Sequence, residues 1–86
     1  MAHVRVSKRG DIDTLHTCLR AADMKELEAH SADPKTALVL GFQASKPCYT
    51  IEHNGEVVGM FGVSPHPDDP SIGQVWLLGS DDIKRI

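Results

Sequence analysis

Asn54-Gly55 constrains this chain more than any other pair of residues. A two-residue hairpin loop of the type I′ class needs positive φ at both central positions, and asparagine followed by glycine meets that need at least steric cost. The flanks read as strands. Cys48-Tyr49-Thr50-Ile51-Glu52-His53 is rich in β-branched and aromatic residues, and Glu56-Val57-Val58-Gly59-Met60-Phe61-Gly62-Val63 returns as its partner. Residues 64–71 hold three prolines and two aspartates and read as a loop. Ile72 to Leu78 then gives a third strand. Gln74, Trp76 and Leu78 alternate with Val75 and Leu77, so both faces are largely apolar, which predicts an interior strand covered on both sides. The second half of the chain is expected to be a three-stranded antiparallel meander.

The first half reads as a strand followed by helices. His3-Val4-Arg5-Val6-Ser7 alternates in polarity, and Lys8-Arg9-Gly10 breaks it. Asp11 suits an N-cap, and Ile12, Leu15, Leu19 and Ala22 fall at helical spacing, so a helix is predicted over 12–22. Asp23 and Glu26 have the spacing of a capping box for a second helix, or a kinked continuation, that ends near His30-Ser31. Asp33-Pro34 opens a third, over 35–44, with proline where its missing N–H costs nothing. A strand over Thr36 to Phe42 is the alternative, because Ala37-Leu38-Val39-Leu40 is continuously apolar. Gly79-Ser80-Asp81-Asp82 is a turn and cap, and Ile83-Lys84-Arg85-Ile86 starts a further helix. The fold class expected is α+β. The expected core is Ile12, Leu15, Leu19, Leu27, Leu38, Ile51, Val58, Phe61, Trp76 and Leu78.

Composition narrows the function classes. At 86 residues, 41% hydrophobic and 24% charged, the chain has the make-up of one small globular domain over residues 1–86. Nine basic against twelve acidic residues give a net charge of −3, and no basic run with interleaved aromatics supports nucleic-acid binding. No apolar run approaches the roughly 20 residues of a membrane span, and no apolar core of a signal peptide follows Met1-Ala2-His3-Val4-Arg5. A soluble intracellular domain is the expectation. Two cysteines make no disulfide scaffold.

Candidate chemistry is sparse. His3, His16, His30, His53 and His66 fall on five different elements without metal-ligand spacing. His66-Pro67-Asp68-Asp69 is the one loop with ligands for a hard cation, but its adjacent carboxylates diverge, so no metal site is predicted. Cys18 and Cys48 read as small buried hydrophobes, and Cys18 and His16, two apart on a helix, face different ways. Ser64, Ser71 and Ser80 lack a nucleophile elbow. No catalytic residue is predicted. Gly59, Gly62, Gly73 and Gly79 mark close packing of a helix on the sheet, or else a bulge or a place where another backbone or a ligand comes close. Trp76 reads as a core residue, with ligand stacking as the sharper alternative.

A strand, helices, an antiparallel meander and the start of a further helix resemble the opening of the GNAT N-acetyltransferase fold. Asn54-Gly55-Glu56-Val57-Val58-Gly59-Met60-Phe61-Gly62-Val63 and Gln74-Val75-Trp76-Leu77-Leu78-Gly79-Ser80-Asp81 resemble the acetyltransferase-like proteins of short-tailed podoviruses, the internal virion protein A family. The resemblance covers residues 48–83 in motif and most of the chain in element order. It implies a partial GNAT-like domain, truncated before the cofactor-binding half. If acetyl-CoA binds, the resemblance places the cofactor contacts at Trp76, Leu77, Leu78 and Gly79. The chain departs from the enzymes of that fold at Gly79-Ser80-Asp81-Asp82-Ile83. The pyrophosphate loop there normally carries a glycine pattern whose amides converge at a helix N-terminus, whereas two aspartates repel a diphosphate.

The expected function is therefore that of a phage protein on an acetyltransferase-like scaffold. It would act by protein contact, in virion assembly or in the infected host's cytoplasm, without catalysis and without a cofactor. The expected partner is a phage or host protein or a second copy in a homo-oligomer. The alternatives are an acetyl-CoA-dependent N-acetyltransferase, whole or as a fragment, and a small inhibitor of a host enzyme.

Overall fold

A computed structural model of the chain describes residues 2–45, 47–66 and 68–85. The fold is α+β. Strand β1 (Ala2–Val6) leads into helices α1 (Arg9–Leu15), α2 (Ala21–Ala29) and α3 (Pro34–Ala44), followed by β2 (Cys48–His53), β3 (Glu56–Pro65) and β4 (Gly73–Gly79), and a 3₁₀ turn, η1 (Asp81–Arg85). The strands form one antiparallel sheet in the order β1-β2-β3-β4, so β1 joins the meander on the β2 side. Helices α1 and α3 pack on one face of this sheet, mainly against β3.

Local chemistry explains the elements that the sequence predicts best. Asn54 and Gly55 take φ of 53° and 81°, and His53 pairs directly with Glu56 across the two-residue loop. A Cβ on Gly55 would meet no neighbour, so its requirement is conformational alone. Gly55→Val is expected to lose more than about 1 kcal/mol, because a β-branched residue resists positive φ. Thermal unfolding followed by circular dichroism checks this, and an unchanged midpoint would count against the turn. Helix α3 starts as predicted: the Asp33 carboxylate accepts from the Thr36 amide at 3.1 Å, and Pro34 follows the cap. The alternative of a strand over 36–42 is thereby excluded.

Four expectations are corrected. The helix predicted over 12–22 is broken, because α1 ends at Leu15 and Leu19 makes an isolated antiparallel bridge to Ser80. The Arg20 amide then donates to the Gly79 carbonyl at 2.8 Å before α2 begins. A bond to a strand 59 residues away thus overrides a helical period. Asp11 is not the N-cap; it lies inside the first turn of α1 and reaches back to the Lys8 amide at 2.8 Å. Asp23 and Glu26 form no capping box: Arg20 is the cap residue of α2, and Asp23 is turned inward and buried. Finally, β4 is the edge of the sheet, not an interior strand, and one of its faces is bare.

The core lies between α1, α3 and the inner sheet face, where Ile12, Leu15, Leu38, Cys48 and Met60 form one buried cluster. Val58 is buried as well, at an irregularity where the pairing of β2 with β3 shifts. Leu19, Leu27, Ile51, Phe61, Trp76 and Leu78 are only half-buried, contrary to expectation. Ile51 and Phe61 fall short because they stand on the sheet face away from the helices. Leu27, Trp76 and Leu78 fall short because they line an open cleft between α2, α3 and β4.

Candidate functional site

Residues paired directly across antiparallel strands share a face. The register therefore sorts the sheet. Thr50, Met60 and Leu78 form one row, and Cys48, Gly62 and Trp76 another, and both point at the helices. The opposite face carries Val4, Ile51, Gly59 and Gly79 in one row and Val6, Tyr49, Phe61 and Leu77 in the next, followed by Val63 with Val75 and Pro65 with Gly73. No side chain in these rows is charged. The Tyr49 and Phe61 rings stack at the centre with centroids 5.4 Å apart. Around them Val4 is 55% exposed, Val6 62%, Val63 52%, Val75 76% and Leu77 44%.

Only one element reaches this face from elsewhere among the described residues. Ile83 of η1 lies over Gly59 and Gly79, and its Cδ1 stands 2.9 and 2.8 Å from where their Cβ atoms would be. These two glycines accept a side chain from another element, the packing role expected of them. Gly62 does the same on the inner face, where a Cβ would come within 2.7 Å of Ser45.

The four residues that the family resemblance nominates for a cofactor are separated by the pleat. Trp76 and Leu78 face the helices and Leu77 the bare side. Trp76 lies against Gly41 of α3 and donates from its indole Nε1 to the Ser45 hydroxyl at 2.7 Å. Gly79 is buried and both its backbone groups are engaged: its N–H donates to Asp23 Oδ2 at 2.9 Å and its carbonyl accepts from Arg20. Arg20 in turn donates from Nε and Nη2 to the Asp23 carboxylate. Farther along β4, Val75 and Leu77 have the same orientation as Gly79, so their N–H and C=O groups point off the open edge. They bond to no described residue.

The polar groups inside the fold are used structurally. The Asp11 carboxylate accepts from both Arg5 Nη atoms, from the Lys8 amide and from Thr50 Oγ1, all at 2.8–2.9 Å. Burial pushes its pKa up, but these hydrogen bonds outweigh burial and hold it below the ordinary carboxylate value. Three of these donors meet on Oδ2 and one on Oδ1, and the residue is buried, so the carboxylate ties β1, β2 and the start of α1 together. Arg5 also donates to Glu52 at 2.9 Å, and that bond first, with His3 adding to it, keeps Glu52 below its ordinary value. Cys48 is buried, and burial first of all pushes its thiol pKa up. Cys18, an exposed residue rather than the small buried hydrophobe predicted, is at the rim of a second cleft of about 470 Å³ with Glu56, Ser80 and Asp82. Partial burial and the two carboxylates raise its pKa too, which is the wrong direction for a nucleophile. Among the described residues no cluster of His, Cys, Asp and Glu has the arrangement of a metal site. Pro67 of the His66 loop lies outside the described residues. Asp69 there accepts from the Ser71 amide and hydroxyl, which ties the loop to itself.

Sequence reasoning saw a need for cover on both faces of strand 72–78 but did not find the face as a whole, although its signal was present as two apolar residues at period two on each of four strands. It also missed Asp11 and Asp23 as buried anchors. Comparison with known protein families, with curated proteins and with solved structures gave no match to this chain. Among the described residues no helix is long and apolar enough to cross a membrane.

Proposed function

We propose that this protein works by docking onto another protein through the bare face of its sheet, without catalysis. One observation carries the reading: five large aliphatic side chains, each more than two-fifths exposed, surround an aromatic pair in rows that hold no charged side chain, with Glu56 at the hairpin end of the same face. The largest contiguous apolar patch on a monomeric protein is often its functional surface. Central aromatics are also where binding energy concentrates in interfaces. The resemblance to acetyltransferase-like virion proteins would set this contact in virion assembly or in the host cytoplasm, with a phage or host protein as partner. Inhibition of a host enzyme would use the same face.

Leu77→Lys tests the reading. It puts a charge on the exposed face and removes nothing from the core, so the fold should persist while the partner is lost. The measurement is capture from infected cells with the wild-type and variant chains side by side. A protein identified on the wild type and absent from the variant is the expected result. Equal capture by both would refute the docking face.

Acetyl transfer makes a different prediction. By the resemblance, a pantetheine strand along β4 would have to displace Arg20 and Asp23 from Gly79, and a diphosphate would meet the carboxylates of Asp81 and Asp82. Calorimetric titration with acetyl-CoA should show no binding tighter than about 1 mM, some −4 kcal/mol. A micromolar dissociation constant would instead support the enzyme reading.

A further inference from the structure

We infer that the open edge of β4 and the cleft beside it bind an extended peptide segment of another protein, which adds a strand to the sheet and sets one aliphatic side chain in the cleft. The backbone names the occupant. The Ser80 N–H donates to the Val58 carbonyl, so by alternation residues 74, 76 and 78 bond across to β3, and Val75 and Leu77 present their N–H and C=O groups outward. Two donors and two acceptors alternating along a strand are matched by another extended backbone. The chain itself makes this match at the next outward position, Gly79. There Leu19 bridges Ser80 antiparallel, and the Arg20 amide donates to the Gly79 carbonyl at 2.8 Å. A bound segment would continue that short strand along the same edge.

The pleat decides which ligand side chain enters the cleft. A ligand residue beside Trp76 shares its face and therefore points toward the helices. The cleft there, between α2, α3 and β4, has a volume of about 660 Å³. Leu27, Leu40, Trp76 and Leu78 give it apolar walls, which suit an aliphatic side chain. Among the described residues that line it, Glu26 is the one carboxylate, and none is lysine or arginine. Ligand positions two apart share a face, so a basic residue two positions from the aliphatic one complements the charge of Glu26.

An unguarded strand edge invites pairing. The sheet has a second edge at β1, but the two differ. On β1 the Val6 carbonyl already accepts from Arg5 Nη1 at 3.2 Å, and no β1 residue lines the cleft. Backbone groups and a side-chain cleft come together only at β4 among the described residues. The bare face of the sheet presents side chains, whereas this edge presents backbone, so the two surfaces stand or fall separately.

The probe is the blocked peptide acetyl-Lys-Thr-Leu-Thr-Lys-amide, whose lysines stand two positions from the leucine on either side. NMR titration of the full chain should shift the Val75 and Leu77 amides together with the indole of Trp76, the chain's one tryptophan, with a dissociation constant below about 1 mM. The same peptide N-methylated at its three central amides keeps every side chain but loses the donors, and should bind at least about tenfold more weakly. Val75→Pro removes an outward N–H at an edge, where proline is tolerated, and should abolish binding with the rest of the spectrum unchanged. Glu26→Lys should weaken binding, and an unchanged affinity would overturn the basic position of the ligand. Equal binding of the methylated peptide overturns strand addition whether or not Val75→Pro folds, because an apolar groove would then suffice. Absence of the shifts up to about 5 mM peptide, well above that limit, overturns it too. So do the same shifts on concentrating the chain without peptide, which would give the edge to a second copy, or on adding pantetheine alone, which would give it to a cofactor's amides.

Discussion

Replacing Asp11 by alanine should remove about 3–5 kcal/mol of stability, the usual consequence of breaking one side of a buried ion pair. That is a large share of the total, because a chain of this length has on the order of 4–13 kcal/mol to lose. Three elements converge on this carboxylate: Arg5 from β1, the Lys8 amide from the start of α1, and Thr50 from β2. Its removal leaves the Arg5 guanidinium, three-quarters buried, with Glu52 as its remaining carboxylate partner. The Thr50 hydroxyl, fully buried, keeps only Ser7. The pH dependence has a definite sign. The folded value of Asp11 lies below its ordinary 3.8. The stability that it contributes is complete above the unfolded value and is lost as pH falls through the folded one. Wild type and Asp11→Asn should therefore differ most near neutral pH and converge in acid. Urea unfolding of both proteins at neutral pH and at about pH 3, below the unfolded value, measures this. A gap that stays constant with pH would assign Asp11 a steric role instead.

The division between what the sequence reveals and what it hides follows the range of the interactions. Asn54-Gly55 and Asp33-Pro34 act within four residues, and the structure places a hairpin turn and an N-cap there. Asp23 is the opposite case. Its spacing to Glu26 suggests a local cap, but its actual partner is the Gly79 amide, 56 residues away. No local pattern encodes that distance, and the neighbouring contacts of Leu19 with Ser80 and of the Arg20 amide with Gly79 are what cut the predicted first helix short. For β4 the sequence showed two apolar faces, which is true, and the inference to cover on both sides failed because cover depends on topology. A strand apolar on both faces describes what the surface needs, not what the chain supplies. That gap between need and supply is the physical content of the candidate site.

Trp76→Ala should cost about 3 kcal/mol, at the lower end for a large aromatic because the ring is half-buried. Two glycines make room for it. A Cβ on Gly41 would come within 2.8 Å of the indole ring, and one on Gly62 within 3.2 Å of its Nε1. Glycine inside a helix costs about 1 kcal/mol relative to alanine, so Gly41 is tolerated in α3 because it lets the ring lie against the helix. The indole also satisfies the Ser45 hydroxyl, in a residue only 3% exposed. Truncation therefore opens a gap between α3 and β4 and takes away a bond from a buried hydroxyl. Trp76→Phe separates the two effects: it retains most of the ring and should lose only the part due to the hydrogen bond, about 1 kcal/mol. Gly41→Ala should destabilise by pressing on the same ring, despite the better helix propensity of alanine. Urea unfolding of the three variants, with the wild-type tryptophan fluorescence as reference, checks the series. If Gly41→Ala proves stabilising, Trp76 does not rest against α3 and does not wall the cleft between α2, α3 and β4.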